Sequence, residues 1–167
     1  MAPPDSKTEL PARILFVCSG NTCRSPLAEV LARHLARELG VDSVEVRSAG
    51  TSTVAGLPAS GGALRAARRH GLSLEDHEST PLASELVEWA DHIFTMGSTH
   101  LHTVREMGGT GKSALLGAYA RGGTPAENDL SVPDPFGGDD EIYEETYQTL
   151  VIYVGLILNR LMSEDSP

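Results

Sequence analysis

Cysteine is scarce in this chain, with only Cys18 and Cys23 among 167 residues. Two closely spaced thiols cannot form the disulfide framework of a small secreted domain. The expected location is therefore cytoplasmic, and a Cys18–Cys23 bridge would be an oxidation product. Basic charge is also short: 13 Lys and Arg against 23 Asp and Glu leave a formal net charge of -10. That excludes a general nucleic-acid or anionic-membrane binder, whose partners demand broad basic surface. Any positive pocket must be local. The longest apolar run, Leu150 to Leu158, is too short to span a bilayer. The opening Met1-Ala2-Pro3-Pro4-Asp5-Ser6-Lys7 lacks the apolar and cationic stretches of a signal peptide, so residues 1–11 are expected to form a disordered tail. Residues 12–167 suit one domain, without repeats or low-complexity blocks. No His-Glu-x-x-His motif occurs, and His100 and His102 have no carboxylate or thiol at ligand spacing, so neither metal nor other cofactor is expected. The acidic run Asp139-Asp140-Glu141, with Glu144 and Glu145, reads as ordinary partners of a helix dipole.

What the chain does contain is an alternation of short apolar runs and amphipathic stretches. Strands are predicted at 14–17, 44–47, 92–96 and 114–116. Helices are predicted at 26–39, 58–70, 81–89, 98–107 and 139–162, and Gly40 and Gly71 stop the first two. Residues 117–134, rich in Gly, Pro and polar side chains, read as a long loop. Strand and helix in alternation imply βαβ units around a parallel sheet, with the ligand at the carboxyl ends of the strands.

One such end carries Cys18-Ser19-Gly20-Asn21-Thr22-Cys23-Arg24-Ser25, between the run Ile14–Val17 and a helix signal at Pro26. A loop of this length can curl so that its N–H groups converge on one anion, while the following helix points its positive end at the same place. Gly20 and Asn21 tolerate the positive φ such a curl needs. Loop amides, helix terminus and Arg24 all favour negative charge on Cys18, whose thiolate is the expected nucleophile. A second feature is Asp134, held between Pro133 and Pro135. A stiffly placed carboxylic acid can protonate a departing group, and its carboxylate can then activate water.

Together with Pro26-Leu27-Ala28-Glu29, Ser48-Ala49-Gly50, His77-Glu78-Ser79 and Asp134-Pro135-Phe136, the loop resembles the low-molecular-weight protein-tyrosine phosphatase family. The resemblance implies an α/β, flavodoxin-like three-layer sandwich with a four-stranded parallel sheet. It implies a metal-free reaction through a cysteinyl-phosphate on phosphorylated proteins, by a monomer or weak dimer. By position it makes Cys18 the nucleophile, Arg24 the clamp on the phosphoryl oxygens and Asp134 the acid and base. Ser25 would bond the sulfur and Asn21 would hold the loop. Ser19, Gly20, Asn21, Thr22, Cys23, Ser25 and Phe136 are the expected substrate-binding residues. Thr22, where tyrosine-specific members commonly carry Ile, resembles the bacterial protein arginine phosphatases, as does Asp134-Pro135-Phe136-Gly137-Gly138. A hydroxyl on a slimmer wall can orient a bent P–N linkage, and Phe136 can face a guanidinium. His77 reads as a supporting residue, and Tyr143 and Tyr147 as core packing. Hydrolysis of phosphoarginine is the leading reading. The alternatives are a tyrosine phosphatase, an arsenate reductase using an external thiol, and a non-catalytic phosphate-binding module.

Overall fold

In a computed structural model, residues 12–41, 43–122 and 130–164 are described. The tail predicted at 1–11 and part of the 117–134 loop, residues 123–129, lie outside them. Four strands, β1 (Arg13–Cys18), β2 (Glu45–Gly50), β3 (His92–Thr95) and β4 (Ser113–Leu115), form one sheet in the order β2-β1-β3-β4. Every pairing is parallel. The helices are α1 (Arg24–Glu38), α2 (Gly61–Arg69), α3 (Ser84–Trp89), α4 (Ser98–Val104), α5 (Leu116–Ala120) and α6 (Asp140–Glu164). A π-helical turn, Arg105–Gly109, extends α4. No helix among the described residues is long and apolar enough to cross a membrane.

The uninterrupted apolar run of β1 follows from its place inside a sheet covered on both faces. Ile14, Phe16 and Cys18 face a core shared with α1, α2, α5 and α6, whereas Leu15 and Val17 face a smaller one under α3 and α4. This alternation makes three layers. Phe16 is fully buried, and its ring centroid lies 6.0 Å from that of Phe94 on the neighbouring strand. Truncating such a side chain to alanine costs about 3–5 kcal/mol, because transfer and cavity costs add.

The connection leaves β1 through α1 to β2 on one side, while β3 pairs on the other, so a topological switch point lies at the carboxyl end of β1. Some predicted boundaries shift for local reasons. Helix α1 starts at Arg24, two residues before Pro26, because the loop winds directly into it. Helix α3 starts at Ser84 because Pro81 bridges Gly50, with the Gly50 and Leu82 amides bonded across the gap. Leu116 opens α5 at the head of the predicted loop.

Candidate active site

The loop is built by turning its carbonyls outward. Those of Cys18, Ser19 and Thr22 accept from the amides of Thr51, Ser52 and Ser60, each at 2.9 Å, and that of Cys23 accepts from Leu27 at 3.2 Å. The Asn21 carbonyl accepts from His77 Nε2 at 2.7 Å. In a planar trans peptide the next N–H points opposite its carbonyl, so the amides of residues 19, 20, 22, 23 and 24 are left on the concave side. That is an anion nest at the start of a helix. Asn21 takes φ 56°, the one described non-glycine residue at positive φ. Gly50 lets the loop approach β2, since a Cβ there would stand 2.5 Å from the Ser19 carbonyl oxygen.

Behind Cys18 runs an ordered chain of hydrogen bonds. Asn21, fully buried, uses both amide protons, on Ser25 Oγ at 2.8 Å and on Ser48 Oγ at 2.9 Å. Its own Oδ1 accepts from the Thr80 amide at 2.8 Å, which fixes the orientation of the side chain. Ser25 Oγ, which accepts from Asn21, lies 2.9 Å from Cys18 Sγ and can turn its proton to a thiolate there. Ser48 passes its proton to Glu29 Oε1 at 2.5 Å, and Glu29 is paired with Arg33. A cavity of about 570 Å³, lined in part by Glu29, Ser48, His77 and Thr80, backs these hydrogen bonds but touches no residue of the loop itself.

Arg24 is buried, with Nη1 donating to the Val132 carbonyl at 2.9 Å and Nη2 lying 3.7 Å from Asp134 Oδ2. Its Nε is buried and has no hydrogen-bond partner among the described residues. The Asp134 side chain is half exposed, and Oδ1 accepts from the Phe136 amide at 3.1 Å in a local turn. The Val132 amide ties this segment to the Met96 carbonyl just beyond β3 at 2.8 Å. The carboxylate is thus brought beside the arginine of the nest from 110 residues along the chain. Phe136 is 73% exposed and makes no wall by itself.

Thr22 is partly buried, its Oγ1 3.5 Å from where a Cβ on Gly20 would stand and 3.8 Å from Cys23 Sγ. Cys23, also a free thiol, is held from beneath: Sγ donates to Ser60 Oγ at 3.2 Å and lies 3.4 Å from the Tyr143 hydroxyl. Tyr143 reaches it because α2 carries Gly62, where a Cβ would stand 2.3 Å from the tyrosine ring. Burial, with the hydrogen bond to Cys23, pushes the Tyr143 phenol up to about 12. The packing role predicted for Tyr143 is therefore joined by a polar one. Tyr147 stacks on His70, their centroids 3.9 Å apart.

Sequence reasoning missed Ser60 and set His100 aside once metal binding was dismissed. His100 is buried on α4, and its Nε2 lies 2.8 Å from Ser19 Oγ. Burial, then the charge of Arg24, lowers its pKa from 6.5 to about 4, with Asp134 opposing. Its imidazole is therefore neutral at pH 7. Only the contact between Ser19 and His100, 81 residues apart, marks it.

Comparison with known proteins shows the family and the fold. The family described as low molecular weight phosphotyrosine protein phosphatase matches residues 13–165. A Geobacillus stearothermophilus protein named protein-arginine-phosphatase is 34% identical over 93% of this chain and 99% of its own length. The Escherichia coli K12 low molecular weight protein-tyrosine-phosphatase Etp is 33% identical over 82% of this chain and 86% of its own. The crystal structure of a Bacillus subtilis YwlE mutant superposes with a TM-score of 0.82 at 34% identity, covering 90% of this chain and 98% of that one.

Proposed function

Because the chain belongs to the low molecular weight phosphotyrosine protein phosphatase family, we propose that Cys18, Arg24 and Asp134 remove the phosphoryl group from phosphoarginine side chains of cytoplasmic proteins. What supports the mechanism is a thiol bonded to Ser25 at the start of a helix, a buried Arg24 with an uncommitted Nε, and Asp134 3.7 Å from that arginine. The phosphoryl oxygens lie against the amides and Arg24, which strengthen their grip as charge builds in the transition state. The Cys18 thiolate forms the S–P bond as the P–N bond breaks, and protonated Asp134 supplies the proton that lets the guanidine leave neutral. Water then attacks the cysteinyl-phosphate, Asp134 takes its proton, and inorganic phosphate leaves with the thiolate restored. Ser25, aimed at the sulfur by Asn21, bonds the thiolate in both its attacking and leaving roles. No step calls for a metal or other cofactor.

Two observations support arginine over tyrosine as the target. Relatives matched over 93% and 82% of this chain carry the name protein-arginine-phosphatase, and Thr22 offers a hydroxyl within the loop, its Oγ1 beside Gly20, where isoleucine would present a bulkier aliphatic wall to a bent linkage. The test is a comparison of kcat/KM on phosphoarginine, phosphotyrosine and phosphoserine peptides for wild type and Thr22→Ile. One branched side chain in a tight pocket is worth about 1–3 kcal/mol, so the ratio of phosphoarginine to phosphotyrosine activity is expected to fall at least about tenfold. A wild type that prefers phosphotyrosine, or a variant that loses both activities alike, refutes the arginine assignment in favour of a tyrosine phosphatase.

A further inference from the structure

His100 and Ser19 form a contact that the mechanism above does not use. The imidazole has two fixed neighbours: Nδ1 accepts from the Gly97 amide at 3.0 Å, and Nε2 faces Ser19 Oγ at 2.8 Å. An amide can only donate, so Nδ1 must carry the lone pair, and the proton of a neutral ring must sit on Nε2. Nε2 therefore donates to Ser19 Oγ, whose own proton cannot point back at the ring. Ser19 immediately follows the nucleophile and is partly exposed, while its carbonyl is already turned outward to Ser52. The start of α4 adjoins the Arg24 and Asp134 side of the loop, because the Met96 carbonyl just before Gly97 accepts from the Val132 amide at 2.8 Å and the Val132 carbonyl accepts from Arg24 Nη1 at 2.9 Å. We propose that His100 is a positioning residue that turns the Ser19 hydroxyl into the anion nest, making it a side-chain donor to the phosphoryl oxygens alongside the loop amides. The inference rests on the reading of the Cys18 loop as the phosphoryl site.

The two functions of the ring can be separated by substitution. Asparagine places an acceptor near the position of Nδ1 and keeps the bond from Gly97 but has nothing at Nε2; glutamine places a donor near Nε2. The measurement is the inhibition constant of vanadate against an aryl phosphate, together with kcat, KM and the thermal midpoint. Ser19→Ala is expected to weaken vanadate about tenfold. His100→Asn should do the same, the double variant no more than either alone, and His100→Gln should restore most of the affinity. Arg24→Ala is the control for the site itself: undiminished vanadate binding there overturns the reading of the loop. If Arg24→Ala loses vanadate but Ser19→Ala binds it as wild type does, the Ser19–His100 inference alone fails. It fails equally if losses in the His100 variants follow their thermal midpoints rather than the presence of a donor, or if the double variant is additive. Should His100→Asn not fold, Ser19→Ala with His100→Gln still decides the matter.

Discussion

Replacing Asn21 by alanine removes three hydrogen bonds and leaves a residue with a Cβ at φ 56° in the tightest part of the loop. The Thr80 amide loses its acceptor, which costs about 1–3 kcal/mol for a donor left unpaired. The left-handed conformation adds about 1–2 kcal/mol, since alanine has no polar group to offset it locally. Ser25 and Ser48 can rotate to new partners, so no further cost is assigned to them. The sum, about 2–5 kcal/mol, corresponds to a fall in thermal midpoint of roughly 4–20 °C for a domain of this size. Activity should suffer separately. With Nδ2 gone, nothing fixes Ser25 Oγ as an acceptor, and its proton is no longer directed at Cys18. A hydrogen bond to a charged group is worth about 1.5–3 kcal/mol, so kcat is expected to fall by about ten- to a hundredfold. Asn21→Gly separates the two effects: it relieves the backbone, partly offset by the entropy of glycine, and recovers a few degrees at most, but it leaves kcat low. Calorimetry and steady-state rates on an aryl phosphate read both quantities. An Asn21→Ala protein that melts with the wild type refutes the backbone argument, and recovery of kcat in Asn21→Gly refutes the relay through Ser25.

Asp134→Ala should lower kcat by about 10²–10⁴-fold on phosphoarginine peptides and less on an activated aryl phosphate, whose leaving group needs little proton assistance; equal losses on both would remove Asp134 as the acid. Peroxide should inactivate the wild type reversibly through a Cys18–Cys23 disulfide, and Cys23→Ser should recover less fully on thiol treatment because Cys18 is left to oxidise further; equal recovery would refute the protective role. His100 gives a pH dependence of stability whose sign can be worked out. Burial, then Arg24, sets its folded pKa at about 4, below the ordinary 6.5, so between these values the unfolded chain binds more protons and stability drops as the pH falls. The loss begins near pH 6.5, is complete below about pH 4, and is at most about 3 kcal/mol. Denaturant titrations at pH 7 and pH 4 should show a smaller drop for His100→Asn than for wild type, and an equal drop would refute the assignment.

How much of this site can be read from the chain depends on how far apart its partners lie. Cys18, Arg24 and the positive-φ position at Asn21 sit within one strand-to-helix turn, so spacing and residue type suffice to specify a tight loop that brings them together. The buried run of β1 identifies a central parallel strand for the same local reason. Asp134 is distant, but its flanking prolines mark it as a carboxylate held stiffly. The residues that tune these groups bear no such mark. Thr80 orients Asn21 only because residues 80–82 bridge Gly50, where a helix had been expected from Pro81. Tyr143 reaches Cys23 only because α2 has a glycine where α6 crosses it, so four-residue spacing to Tyr147 reveals a buried face and not its polar end. His100 is the clearest case. On a seven-residue helix its side chain closes the helix start through the Gly97 amide, a local role that a motif search could suggest. Its other nitrogen meets Ser19 at the end of β1, and that contact exists only when β1 and β3 pair in register and bring their carboxyl ends together. A parallel sheet thus places the Cys18 turn and the α4 start side by side without any sequence proximity, and the tautomer that one amide imposes decides which way the hydroxyl next to Cys18 can point.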